Sequence, residues 1–129
     1  MNSLNLTYQL HEIAQGLLYL HGENVIHGDL HGVSIVTSTA LVLILLQNNV
    51  LITDDRKAVL VDFGSADLEM ITQTSSAMHG ALEFLSPERL GAYVGEQFDQ
   101  ANMRPTAASD VFAFAGLCYQ VACALLFIL

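Results

Sequence analysis

Residues 27–52 read HGDLHGVSIVTSTALVLILLQNNVLI, and the stretch changes character twice. Residues 27–32 are charged and punctuated by glycines, the composition of a loop that presents side chains to a ligand. Residues 33–47 carry no charge and are mostly aliphatic. Asn48 and Asn49 then lead into Val50-Leu51-Ile52, an apolar run that reads as a strand. The two polar ends look built to hold a metal and a phosphate, yet a greasy run parts them.

Working outward, Leu6, Leu10, Ile13, Leu17 and Leu20 recur at spacings of four and three, the stripe of an amphipathic helix with Gly22 as its stop. Val25-Ile26 is a short apolar pair. Residues 49–53 and 57–61 read as two strands joined by a tight turn at Asp54-Asp55-Arg56. Residues 65–86 are rich in Ser and Thr and lack apolar periodicity, which predicts a mobile loop. Pro87 suits the first turn of a short helix reaching about Tyr93, and residues 95–105 form a polar connector. From Thr106 a helix follows that is apolar all round.

At 129 residues the chain suits one domain with a modest core. Thirteen Asp and Glu against four Lys and Arg leave a net charge of −9. A phosphate-backbone binder needs a basic face, so no nucleic-acid partner is expected. Cys118 and Cys123 lie five apart on a helical run and point away from each other, which predicts buried free thiols in a reducing, cytoplasmic setting. The first ten residues lack the basic start and apolar core of a secretory signal. Residues 33–47 are too short to span a bilayer, whereas residues 111–129 approach that length without a charge. Ser109-Asp110 at the head of that run argues for a capped helix inside a protein, which weighs against a membrane without excluding it.

Four motifs stand in order on this frame. His27-Gly28-Asp29-Leu30 comes first and Asp62-Phe63-Gly64 follows the strands. Ser86-Pro87-Glu88 comes after the lead-in Gly80-Ala81-Leu82-Glu83-Phe84, and Ser109-Asp110-Val111-Phe112-Ala113-Phe114 opens the last helix. Together they resemble the H-R-D-L catalytic loop, D-F-G, A-P-E and S-D-V-W-S-F of the protein kinase C-lobe. The resemblance covers about residues 7–32 and 48–120. It implies a mainly α fold with a small β-hairpin, a partial kinase domain over residues 1–129 that lacks the N-lobe.

The resemblance also implies roles. Asp29 would orient the proton of a protein substrate's hydroxyl, and Asn49 and Asp62 would bind Mg2+ on the phosphates of ATP. Leu51, with Leu117 and Val121, falls where the family packs beneath the adenine. His27 and Phe63 join a hydrophobic spine, Gly64 completes D-F-G, and Asp110 holds the catalytic loop's backbone. Glu88 takes the place of a residue that usually pairs with a later Arg. Thr72, Thr74, Ser75 and Ser76 are candidate phosphosites. Each residue alone has a plainer reading: Asp29 as a turn former, Asp62 as a strand end, Asp110 as a helix cap, and His27, Phe63, Leu51, Leu117 and Val121 as core.

Departures from the pattern are equally specific. Gly28 replaces the Arg that pairs with an activation-loop phosphate, which puts that control in doubt. His31 stands where Ser/Thr kinases carry Lys, and Ala81 where they carry Thr, so hydroxyl specificity stays open. No glycine-rich loop, V-A-I-K lysine or helix-borne Glu partner occurs in the chain. An isolated chain without these parts is expected to be inactive, apolar at its surface and prone to self-association.

Competing readings are a pseudokinase-like binding module, a membrane-associated fragment built on residues 111–129, and a metallophosphoesterase. For the last, Gly28-Asp29-Leu30-His31-Gly32 fits G-D-x-H-G, but the later G-D-x-x-D and G-N-H-E are missing. The greasy run has its own explanation. In the family the metal-binding Asn lies five places after the catalytic Asp, where this chain has Ser34. Excising residues 33–47 puts Asn49 on that place and keeps the reading frame. Val33 and Ser34 can be encoded GTNAG, a splice-donor form, and Gln47 as CAG, the usual acceptor ending. The segment thus reads as non-coding sequence translated by mistake, with a genuine inserted strand or helix as the alternative. Left in place, it is expected to hold Asn49 away from Asp29. The tail at residues 121–129 is greasier than a kinase central helix.

Overall fold

The computed structural model describes residues 6–31, 36–38, 41–43, 49–62, 67–68, 82–94 and 104–126. Phe63, Gly64, Thr72, Thr74, Ser75, Ser76 and most of residues 33–47 lie outside these.

The apolar stripe forms helix α1, Leu6–Gly22. Ile13 and Leu17 are buried on its inner face, with Leu10 packed beside them. Gly22 is the last helical residue, but the left-handed position belongs to Asn24, with φ 57°. The helix therefore ends at the expected glycine, and Asn24, a residue type that tolerates the left-handed region, turns the chain two residues later. The Glu23 and Asn24 amides close the end by donating to the carbonyls of Tyr19, Leu20 and His21.

Strand β1, Val25–Ile26, leaves this turn. Strands β2, Val36–Ser38, and β3, Leu41–Leu43, lie inside the greasy run and pair with each other in an antiparallel hairpin. Strands β4, Val50–Ile52, and β5, Ala58–Leu60, form the expected hairpin, with Val50 opposite Leu60. Arg56 turns it at φ 68°, and the Arg56 amide donates to the Thr53 carbonyl at 2.8 Å. Strand β6, Asp67–Leu68, pairs antiparallel with β1, so part of the expected mobile loop is instead hydrogen-bonded sheet. Two residues are too few to show a period of two, which hid the strand from the sequence.

After a single 3-10 turn at Leu82–Phe84 come helix α2, Pro87–Val94, and helix α3, Ala107–Leu126. Thr106 and Ser109 cap α3 reciprocally: the Ser109 amide donates to Thr106 Oγ1 at 3.0 Å and the Thr106 amide to Ser109 Oγ at 2.8 Å. Asp110 is therefore not the cap. Ala113, Leu117 and Val121 are buried on one side of α3, whereas Val111, Phe112 and Tyr119 are exposed on the other. Cys118 and Cys123 are half-buried and unbridged, less enclosed than expected. Among the described residues no helix is long and apolar enough to cross a membrane, which removes the spanning reading of α3 over those residues.

The core joins these pieces: Ile13 and Leu17 from α1, Leu30, Val50, Ala58, Phe84, and Ala113 and Leu117 from α3. A fully buried Leu or Ile contributes roughly 2 kcal/mol through burial. Two close approaches set the spacing. A Cβ on Gly16 would lie 3.1 Å from Leu60 Cδ1, and one on Gly116 would lie 2.9 Å from Phe84 Cδ1. Glu12 of α1 ties down the β-hairpin, accepting a 2.8 Å hydrogen bond from the Ala58 amide. The fold is thus mainly helical with small antiparallel sheets.

Candidate active site

The site is organised around one carboxylate on α3. Asp110 is only 2% exposed, and its oxygens collect three donors. Oδ2 accepts from the His27 amide at 2.8 Å and faces His21 Nε2 at 2.9 Å. Oδ1 accepts from the Gly28 amide at 2.9 Å. Gly28 has φ 80°, which glycine adopts without a Cβ clash. A buried carboxylate needs such donors, and the two backbone ones come from a loop more than eighty residues earlier in the chain.

His27 is fully buried and fixes the next turn. Its Nδ1 accepts weakly from the Asp29 amide at 3.4 Å, so Nε2 carries the proton and donates to the Val61 carbonyl at 3.2 Å. One imidazole therefore ties the residue before Asp62 to the loop that carries Asp29. Asp62 itself is exposed and left-handed, with φ 62°, a conformation Asp tolerates at modest cost.

Asp29 and Asn49 meet. Asn49 is 1% exposed, and its Nδ2 donates to the Asp29 carbonyl and, at 3.0 Å, to Asp29 Oδ2. The Asn49 carbonyl in turn accepts from the Val61 amide at 2.9 Å, joining β4 to the approach of Asp62. The expectation that residues 33–47 hold Asn49 away from Asp29 is therefore wrong. An antiparallel hairpin returns its ends to neighbouring points, so intervening length need not separate the flanks. Asp29 Oδ1 is buried and has no hydrogen-bond partner. His31 lies beside the pair, with Nε2 3.9 Å from Asp29 Oδ2, and its ring tilts against Phe84 at a centroid distance of 6.4 Å.

The donor set fits Mg2+ bound together with phosphates. Both amide hydrogens of Asn49 go to Asp29, which turns its oxygen the other way. Magnesium uses one or two protein oxygens when phosphates and waters complete its shell, so Asn49 and Asp62 would be enough to hold it without a dedicated cage. Asp29 Oδ1 remains a buried acceptor that an incoming hydroxyl would satisfy.

Leu51 is 56% exposed and is not core, unlike Leu117 and Val121. It points outward because β4 alternates, with its neighbour Val50 buried. Glu88 is exposed and accepts a 2.6 Å hydrogen bond from Ser86 Oγ, which with its own backbone amide lowers its pKa. Two contributors escaped the sequence reading. His21 lies in the last turn of α1, and its place six residues before His27 carries no motif. Arg89 of α2 donates from Nη1 to the Gly28 carbonyl at 3.3 Å. Its signal was scarcity, since the chain has only four Lys and Arg.

This arrangement can be set beside known proteins. The family model for the protein kinase domain matches residues 4–127. The chain is 28% identical over 118 residues to receptor-interacting serine/threonine-protein kinase 1 of Homo sapiens, covering 81% of this chain and 14% of that protein. It is 30% identical over 105 residues to serine/threonine-protein kinase 31 of Mus musculus, covering 81% and 8%. It is 32% identical over 127 residues to the L-type lectin-domain containing receptor kinase VI.2 of Arabidopsis thaliana, covering 94% and 15%. The chain thus spans between 8 and 15% of the length of these relatives. With a match over nearly its whole length and a loop, hairpin and helix joined as described, the chain belongs to the protein kinase family.

Proposed function

We propose that the chain supplies the catalytic-loop part of a kinase that transfers the γ-phosphoryl group of ATP to a hydroxyl of a protein substrate. The observation that carries this reading is the contact of Asn49 with Asp29 across the greasy run. Asp29 is the base: its buried, unpartnered Oδ1 is placed to take or orient a hydroxyl proton. Asn49 and Asp62 would hold Mg2+, and the exposed Leu51 would offer apolar surface to the adenine. When bound with ATP, the metal supplies neutralisation of charge on the phosphate oxygens. Asp110 and His27 keep the loop in register.

Positioning and electrostatics supply nearly all of phosphoryl-transfer catalysis, and nothing among the 129 residues matches the glycine-rich loop or its lysine. The isolated chain therefore binds Mg·ATP without turning it over, as a pseudokinase-like module would. A thermal melt with ATP and Mg2+ is expected to rise against ATP with chelator, and Asn49→Ala or Asp62→Asn to abolish the rise. No rise in the parent chain overturns the reading. Transfer that needs Asp29, measured with radiolabelled ATP, overturns the inactivity.

Val111, Phe112 and Tyr119 on α3, with Leu18 and Tyr19 on α1, expose apolar surface that favours self-association. Light scattering at micromolar concentration is expected to give more than a monomer, and a monodisperse monomer overturns this.

A further inference from the structure

The chain has four Lys and Arg side chains, and three of them, Arg56, Lys57 and Arg104, are exposed. The fourth, Arg89, is half-buried and reaches from α2 back to the candidate catalytic loop, where Nη1 donates to the Gly28 carbonyl at 3.3 Å. Burial pulls its pKa below the usual value, while attraction to Asp110, Asp29 and Glu88 pulls it back up. An arginine remains charged under such opposing pulls. Burying a scarce cation is costly unless carboxylates and acceptors compensate it, and here the nearby carboxylates include the candidate base and the hub of its loop.

We propose that Arg89 is a positioning residue of the catalytic loop, holding the Gly28 carbonyl while Asp110 holds the Gly28 amide. The two faces of one peptide-flanked glycine are thereby gripped from α2 and α3. Gly28 needs this grip more than another residue would, because glycine at φ 80° has alternatives on both sides of the map. Position 28 has no side chain of its own to supply a cation, and Arg89 brings one from sixty-one residues further along. The direct consequence is a fixed Asp29, one residue on. This role rests on the kinase reading for its purpose, but the grip itself can be tested without nucleotide.

The experiment is amide hydrogen exchange on the whole chain, comparing parent, Arg89→Lys, Arg89→Met and Arg104→Met. Arg89→Met keeps much of the side chain's bulk and removes charge and donors. Exchange at the His27 and Gly28 amides is expected to quicken by about tenfold in Arg89→Met, the scale of one lost charge-assisted hydrogen bond, with Ile13 and Leu17 unchanged. Arg89→Lys should recover most of that protection, and Arg104→Met should match the parent. A uniform quickening at all amides in Arg89→Met, no quickening at all, or a Lys variant no better than Met overturns the proposal. A second reading uses Mn2+ with adenylyl-imidodiphosphate, whose affinity should fall in Arg89→Met and recover in Arg89→Lys. If the parent binds no nucleotide, the kinase reading fails while the exchange pattern still decides the grip.

Discussion

Two neighbouring regions of the same loop are held by opposite means. Residues 27–29 are fixed from afar, by Asp110 on α3, by the Val61 carbonyl and by Asn49. Strands β2 and β3, a few residues later, pair with each other and belong to a sheet of two strands. The first region depends on contacts at least twenty residues away in sequence, the second on partners no more than seven apart. Polar contacts from distant elements can therefore keep a site assembled around a self-contained excursion. Sequence distance between Asp29 and Asn49 is a poor guide to their separation in space.

The comparison breaks most visibly at Asp110. Asp110→Ala leaves the His27 and Gly28 amides buried without acceptors, and a loss of about 4 kcal/mol is expected in denaturant titration. Asp110→Asn keeps an acceptor and should lose less. A loss below about 1 kcal/mol for the alanine variant would mean the loop is held by packing instead.

Gly116→Ala tests whether the spacing of α3 from Phe84 is tight. The added methyl meets Phe84 Cδ1 at 2.9 Å, and overpacking should cost about 2 kcal/mol by the same titration.

Removing residues 33–47 sharpens the contrast from the other side. With the flanks already in contact, the deleted chain should keep its stability within about 1 kcal/mol and retain the Mg·ATP-dependent thermal rise. The same segment is proposed to be unspliced sequence. Amplifying the transcript should yield a message without codons 33–47, and a message that always carries them overturns this origin.

The smallest effect concerns Glu88, whose pKa is lowered by the Ser86 hydroxyl and its own backbone amide. A depressed folded-state carboxylate contributes stability above its unfolded pKa and loses it as pH falls through the folded value. Ser86→Ala should therefore lower stability slightly at neutral pH and flatten the acid limb below about pH 5, so that the two chains converge at low pH.

What could be read along the chain was what repeats or recurs locally. The α1 stripe, the β4–β5 hairpin with its Asp54-Asp55-Arg56 turn and the Pro87 helix start all came from side-chain spacing and turn chemistry. Asp29, Asp62 and Asp110 could be picked out from the order of four motifs, and Asn49 from its distance to Asp29 once residues 33–47 are left out. Strand β6 could not, since two residues carry no periodicity and exist as strand only because β1 lies alongside. Nor could the outward face of Leu51, the cap formed by Thr106 and Ser109, or the grip of Arg89 on Gly28. The sequence by itself determined which groups the site has available. Tertiary structure decided which of them touch, because hydrogen bonds and burial act over ångströms and take no account of the length of chain between partners.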